Sequence, residues 1–325
     1  MLTKKSEIEE VVLIDPVRDH HCNGLKVLSG YATPVMLEYH LDQVKQYCPN
    51  LKTEVILGMT PAEGLIEEQH RGFLNIVERH SGCTCSYIKK NQKPCHSKIY
   101  VWLKDDEPVE AFIGSANYTQ NAFYGEQQES MANCDSRAAL EYFLSFNDKI
   151  IECRDYNVDT EVNIVSINQY RSAKAAAFEA GTTTIDSINE NGKSVRLSLL
   201  SSNGEVCERS GLNWGQRPNR DHNQAYLSIP KNIVNSHFFP PRTIRFTLMT
   251  DDLKDMICVV AQQGDKAIQT PLDNGTLGRY FRHRLGLAPG SKVTKADLER
   301  YGRTDVEIVK VDDETYFMDF SAKKH

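Results

Sequence analysis

Two short stretches restrict this chain more than anything else in it: His96-Ser97-Lys98 and, beyond one turn, Gly114-Ser115-Ala116-Asn117. Side chains alternate along a β-strand, so a histidine and a lysine one residue apart share a face. A Gly-Ser-x-Asn turn brings backbone N–H groups, a hydroxyl and an amide to one spot. Between the two stretches, His96 to Leu103 and Val109 to Ile113 read as strands, with the polar run Lys104 to Pro108 as their turn. The fold must therefore place the start of one strand beside the end of the next.

The rest of the first half alternates strands and helices. Gly24 to Tyr31 reads as a strand ending at small residues, Pro34 to Tyr47 has helical apolar spacing, and Thr53 to Met59 is a continuous apolar run. Such a run is expected of a strand covered on both faces. Thr60-Pro61 opens a helix, with Thr as cap and Pro in the first turn, that extends to about His80. Glu129 to Cys134 is a further short strand, and Ser136 to Cys153 a helix with apolar positions at Leu140, Phe143, Leu144, Phe146 and Ile150. This order implies a mixed sheet flanked by helices.

Beyond residue 155 the character changes. Residues 157–192 are polar and include the small-residue run RSAKAAAFEAGTTT. From Ser194 onward short β-rich runs dominate: Val195 to Leu200, Gln224 to Ile229, Thr243 to Met249, Met256 to Gln262, Glu307 to Val311 and Tyr316 to Phe320. Their regular spacing suggests a barrel or sandwich. The expected division is a first domain over 1–165, a linker over 166–190 and a β-rich domain over 191–325.

The net charge of −6 excludes a uniformly basic coat but not a local basic surface. No apolar run approaches the ~18 residues of a membrane span, and the start MLTKKSEIEE has no apolar signal core. A microbial cytoplasm is the expected location, and the nine cysteines are expected as reduced thiols. Cys83, Cys85, Cys95 and His96 invite a zinc reading. It is set aside because C-x-C is tighter than the usual knuckle spacing and His96 belongs to the strand motif.

The chemistry of the two stretches is that of a metal-free phosphodiester-cleaving site. A neutral imidazole is nucleophilic near pH 7 and divides one displacement into two. A second histidine must protonate the leaving oxygen. Lys98, Ser115 and Asn117 would hold the non-bridging oxygens, so neither a metal nor another cofactor is called for. Only one H-x-K is present, and a two-fold homodimer supplies the second histidine. His20-His21 has no phosphate-binding turn nearby, and His70 and His80 fall on a helix as surface residues.

H-x-K followed by Gly-Ser-x-Asn resembles the phospholipase D superfamily. The superfamily often carries an aspartate where this chain has Leu103, and its nuclease branches frequently lack it. The resemblance implies a carboxylate that fixes the His96 tautomer, here Glu129, with Glu126 as the alternative.

In the second half, Gly211-Leu212-Asn213-Trp214-Gly215-Gln216-Arg217-Pro218-Asn219-Arg220 runs on through Asn223 as a polar loop around one Trp. Asn274 to Arg284 is locally cationic, and His222 and His283 fall in the same neighbourhoods. Arg, Asn and Gln in such segments suit base edges and phosphates. Taken together, H-S-K-x-Y, GSANYTQNAF, NWGQRP and LGRYFRHRLGL are similar to the NgoFVII-type restriction endonucleases across essentially the whole chain. That resemblance implies an α/β phospholipase D-like nuclease domain followed by a DNA-binding pseudobarrel that grips the major groove with two arms. It makes Trp214, Gln216, Arg217, Arg220, Asn223, Arg279, Arg282 and Arg284 candidates for contact with double-stranded DNA. It also implies a cognate DNA methyltransferase and leaves room for a separate ATPase subunit, with no membrane involved. The rival readings are a phospholipase D-type lipid hydrolase, a non-catalytic DNA-binding protein and a non-specific nuclease.

Overall fold

The computed structural model describes residues 2–125, 127–166, 193–252 and 254–322. The expected linker lies, but for Ser166, outside the described residues, as does Glu126. The chain forms two units that divide near residue 170, each with its own core.

The first unit contains strands β1 (Leu2–Lys4), β2 (Gly24–Ser29), β3 (Lys52–Leu57), β4 (Leu65–Ile66), β5 (Cys83–Ile88), β6 (Lys98–Lys104), β7 (Glu107–Gly114), β8 (Ser130–Cys134), β9 (Ile150–Glu152) and β10 (Ile164–Val165). Eight of them form one sheet in the order β1-β8-β7-β6-β2-β3-β5-β9, while β4 pairs with β10. β2, β3 and β5 run parallel and their other neighbours antiparallel, so the sheet is mixed as expected. Both faces are covered. Val55 and Leu57 of β3 point into the larger core with Met36, Leu37, Phe73 and Ile76 of the helices Pro34–Val44 and Glu67–Arg79. Ile56 points into the other core, against Ala139 and Phe143 of the helix Ser136–Leu144. A continuous apolar run was the signature of that double coverage.

Four expectations are corrected. His70, expected at the surface, is buried, with its Nδ1 3.0 Å from Tyr87 OH. The helix opened by Thr60-Pro61 ends after Glu63, because Gly64 turns left-handed at φ 78°, and β4 intervenes before a new helix starts at Glu67. The helix from Ser136 ends at Leu144, and the chain turns through residues 145–149 into the edge strand β9. β6 starts at Lys98, so His96 lies just outside the strand.

The second unit is one seven-stranded sheet: β11 (Ser194–Ser198), β12 (Leu227–Ser228), β13 (Arg245–Thr250), β14 (Asp255–Ala261), β15 (Ala267–Gln269), β16 (Asp305–Lys310) and β17 (Thr315–Asp319). The order is β11-β16-β17-β13-β14-β15-β12, and the two edge strands approach each other, which makes a nearly closed barrel. The strand expected over Gln224 to Ile229 contracts to β12. Two helices, Thr276–Arg284 and Lys295–Tyr301, pack Leu277, Phe281 and Leu298 into the barrel core. The second helix begins with a capping box between Thr294 and Asp297 and stops at Gly302, at φ 92°.

Among the described residues, no helix is long and apolar enough to cross a membrane. The nine cysteines are free thiols. Cys83 and Cys85 lie in one core of the first unit and Cys95 in the other. No group of three or more His, Cys, Asp or Glu among the described residues is placed to hold a metal ion.

Candidate phosphodiester site

The site forms where β2 ends, β6 begins and β7 ends. Ser29, the last residue of β2, pairs with Lys98, the first of β6, and Ile99 pairs with Ile113. The chain then leaves β7 at Gly114, where a Cβ would run into the Ser130 carbonyl and Met131. Only glycine allows that turn to lie against β8. Ser115 N donates to Ser130 O at 3.0 Å, and Ser130 N donates back to Ser115 Oγ at 3.1 Å.

Asn117 is tied to the end of β2: Tyr31 N donates to its Oδ1 at 3.2 Å. Tyr118 N donates to Ser29 Oγ at 3.0 Å and Tyr31 O at 3.2 Å, and Thr33 N donates to Tyr118 O at 3.2 Å. Beneath the turn, Tyr100 OH donates to Ala116 O at 3.0 Å. His40 Nε2 donates to Leu13 O at 3.1 Å, which leaves Nδ1 to accept from Tyr118 OH at 2.7 Å. Full burial holds the His40 pKa down, to about 4, so its imidazole is neutral at physiological pH.

Lys98 is 5% exposed. Burial lowers its pKa and the nearby Glu129 carboxylate opposes that fall. Its Nζ donates to His96 O at 2.7 Å. The His96 side chain is exposed, with the edge of the Tyr31 ring 6.0 Å away between centroids. Gly30 shows how closely these groups converge. A Cβ built there would lie 2.9 Å from His96 Cδ2 and 3.4 Å from both Lys98 Nζ and Asn117 Oδ1. The His96 ring, the Lys98 ammonium and the Asn117 amide oxygen, which Tyr31 N holds, thus converge above Gly30.

The structure therefore brings together His96, Lys98 and Asn117, with Ser115 and Glu129 beside them. Glu129 differs from its expected role. It is buried and takes the Ser115 hydroxyl on Oε2, while the His96 imidazole has no hydrogen-bond partner among the described residues. Sequence reasoning missed Gly30, Tyr31 and His40. The small residues at the end of β2 were the available signal for the first.

In the second unit the two expected arms meet. A Cβ on Gly278 would strike the Asn223 carbonyl, and Gly290 N donates to Asn223 Oδ1 at 2.7 Å. Gln216 Nε2 donates to Gly290 O at 3.0 Å. The Arg220 guanidinium stacks 4.0 Å above the Trp214 ring and donates to Gln224 Oε1 at 2.9 Å. Arg217 is exposed and tethered through Nε to Arg209 O at 2.7 Å. Arg279 is exposed and ion-paired with Asp273.

Two arginines are corrected out of the contact set. Arg282 is 1% exposed and donates to the carbonyls of Ser291, Gly278 and Leu212 at 2.7, 3.1 and 3.2 Å, so it braces the two arms from inside. Arg284 holds Asp251 bidentately at 2.9 and 2.7 Å and also donates to Phe320 O, a tie within the barrel.

The model of the NgoFVII restriction endonuclease N-terminal PLD (phospholipase D) domain matches residues 6–160, and that of the NgoFVII C-terminal B3-like DNA-binding domain matches residues 187–312. Among solved structures, NucT from Helicobacter pylori aligns at 15% identity and TM-score 0.35, over 46% of this chain and 96% of its own. Nuc from Salmonella typhimurium, a phospholipase D family member, aligns at 15% identity and TM-score 0.32, over 48% and 97%. Phosphatidylserine synthase from Haemophilus influenzae aligns at 12% and 0.32, over 49% and 40%. The search of curated proteins gives no match.

Proposed function

Because the chain belongs to the NgoFVII restriction endonuclease family, we propose that it is a homodimeric endonuclease that cuts double-stranded DNA at or near a specific sequence. In this reading it works in the cytoplasm, without a metal, through a phosphohistidine at His96. Family membership makes the chain a nuclease with its own DNA-binding domain; the finer reading rests on the site. The observation that carries it is the convergence of His96, Lys98 and Asn117 above Gly30.

A phosphate beside these groups would be bound through its non-bridging oxygens by the Lys98 ammonium and by the Asn117 Nδ2–H groups, whose Oδ1 is already held by Tyr31 N. An imidazole nitrogen of His96 attacks phosphorus, a P–N bond forms and the bond to the leaving deoxyribose oxygen breaks. That oxygen takes a proton from His96 of the partner subunit. The second histidine then removes a proton from water, whose oxygen attacks phosphorus and displaces the first imidazole. Lys98 and Asn117 hold the charge of both transition states. Glu129 fixes the Ser115 hydroxyl beside the site.

Two features support a dimer. Each chain has a single H-x-K. Leu2, Ala132 and Ile113 are cross-strand partners on one face, and Leu2 and Ile113 are 68% and 44% exposed. This apolar row ends beside Gly114 and Ser115. In the second unit, Trp214, Gln216, Arg217, Arg220, Asn223 and Arg279 form the proposed DNA-reading surface.

Plasmid cleavage in EDTA, with wild type and His96→Ala side by side, tests the reading. Discrete fragments from the wild type alone are expected. Cleavage that requires Mg²⁺ and survives the substitution would overturn it.

A further inference from the structure

The loop that carries the chain from β5 into the site holds Lys89, Lys90 and Lys93, in the sequence KKNQKP just ahead of Cys95-His96. Its backbone is fixed at both ends. Lys89 N donates to Lys149 O at 3.0 Å, Lys90 N to Glu161 O at 2.7 Å, and Gln92 N closes a turn on Lys89 O at 2.9 Å. Cys95 N donates to Gly58 O at 2.9 Å. The Gly58 and Met59 N–H groups in turn donate to Ser29 O and Gly30 O at 2.8 and 3.1 Å, so the loop is stitched to the floor of the site.

The side chains, by contrast, are uncommitted. Lys90 and Lys93 are exposed and Lys89 half-buried, and none of the three ammonium groups has a hydrogen-bond or ion-pair partner among the described residues. Elsewhere in this unit Arg18, Lys26, Lys52, Arg79 and Arg154 hold carboxylates. The other cations with neither a hydrogen bond nor an ion pair among the described residues, Lys4, Lys45, Lys104 and Arg137, are scattered along the chain rather than clustered. Three unpaired cations on a rigid loop stand out in a chain of net charge −6.

We propose that residues 89–94 are the catalytic unit's own DNA-backbone contact, with Lys89, Lys90 and Lys93 on phosphates flanking the one at His96. Lys93 is three residues from His96, which limits their backbone separation to about 10 Å. Duplex DNA carries one charge per ~1.7 Å of axis, so neighbouring phosphates fall within reach of these side chains. The contact is independent of sequence. It presses the scissile strand into the site after the second unit has located the target. This inference rests on the nuclease reading above.

The test uses the full-length protein with Lys89, Lys90 and Lys93 all changed to Gln, or all to Arg. Plasmid cleavage kcat/KM is measured against NaCl concentration. Three lost phosphate contacts should flatten the slope of log(kcat/KM) against log[NaCl] by about 2.7, at ~0.9 per contact. The Arg variant should keep the wild-type slope, and Lys45→Gln, at the far end of the helix Pro34–Val44, should leave it unchanged. A Gln variant with wild-type slope and rate, while the wild type cuts normally, overturns the proposal alone. Equal loss in the Gln and Arg variants also overturns it, because that is the mark of a structural role. A wild type that cuts no DNA overturns the nuclease reading and this inference with it.

Discussion

Alanine at Gly30 adds one carbon at the point where the site's polar groups meet. Its Cβ would sit 2.9 Å from His96 Cδ2, where ordinary contact starts at 3.4 Å, so the ring must retreat by about 0.5 Å. The same carbon lies 3.4 Å from Lys98 Nζ, the donor proposed for a phosphate oxygen, and 3.4 Å from Asn117 Oδ1. A misplacement of ~1 Å costs a reaction about 10²-fold, and blocking an oxyanion donor costs ~10²–10³-fold. Half an ångström together with a crowded phosphate points to a fall in kcat of about 10- to 100-fold, or roughly 1.4–2.7 kcal/mol of barrier. The fold should tolerate the change. Gly30 is not left-handed, the exposed His96 ring is free to yield, and alanine lowers the entropy of the unfolded chain by an amount worth ~0.4–1 kcal/mol. Single-turnover cleavage, DNA binding and thermal melting separate these effects: cleavage should fall while binding and Tm hold. Gly58→Ala and Gly114→Ala serve as contrasts, because their Cβ atoms would strike the carbonyls of Cys95 and Ser130, and both should lower Tm. A Gly30→Ala protein that cleaves at the wild-type rate would refute the placement of the phosphate.

Three further outcomes follow from particular contacts. His40 has a folded pKa of about 4 against an ordinary 6.5, so the folded state binds fewer protons. Its contribution is complete above pH 6.5 and is lost as pH falls toward 4; urea unfolding should show the first unit about 2 kcal/mol weaker at pH 5 than at pH 7, and His40→Gln should flatten that dependence. If one centre uses a histidine from each subunit, subunit exchange between equal amounts of wild type and His96→Ala should leave about a quarter of the wild-type activity; half would indicate independent subunits. Arg282→Met should lower the Tm of the second unit, because it orphans the carbonyls of Leu212, Gly278 and Ser291, whereas Arg217→Ala should weaken DNA binding at unchanged Tm.

Much of the first unit was readable because its local signals agreed with its global ones. TEVILGM announced a strand with two covered faces, and the β6–β7 hairpin followed from two runs and a polar turn. The site motif was legible for the same reason, since Gly114 is demanded by a backbone clash, Asn117 by the hydrogen bond it takes from Tyr31 N, and Lys98 by its charge. The break at Gly64 was not legible. Leu65 and Ile66 leave helical geometry to pair with Ile164 and Val165, far along the chain, and no local pattern records that partner. Gly30 carries no chemistry of its own and matters only through what surrounds it. Arg282 shows the converse error: three residues from Arg279 in a locally cationic stretch, it is expected to reach DNA, yet its guanidinium is drawn inward by three carbonyls from separate segments. Glu129 stood where a tautomer-fixing carboxylate was expected, and which hydroxyl or imidazole it meets depended on how Ser115 turns.

The double displacement at His96 is the centre of the account, and its stereochemical course tests it most directly. A substrate with a phosphorothioate of one configuration at the scissile bond would be cleaved in oxygen-18 water and the product configuration determined. Two in-line displacements, first by the His96 imidazole and then by water, each invert phosphorus and together restore it, so retention is expected. Inversion would mean that water attacks the DNA directly, and it would contradict a phosphohistidine at this site.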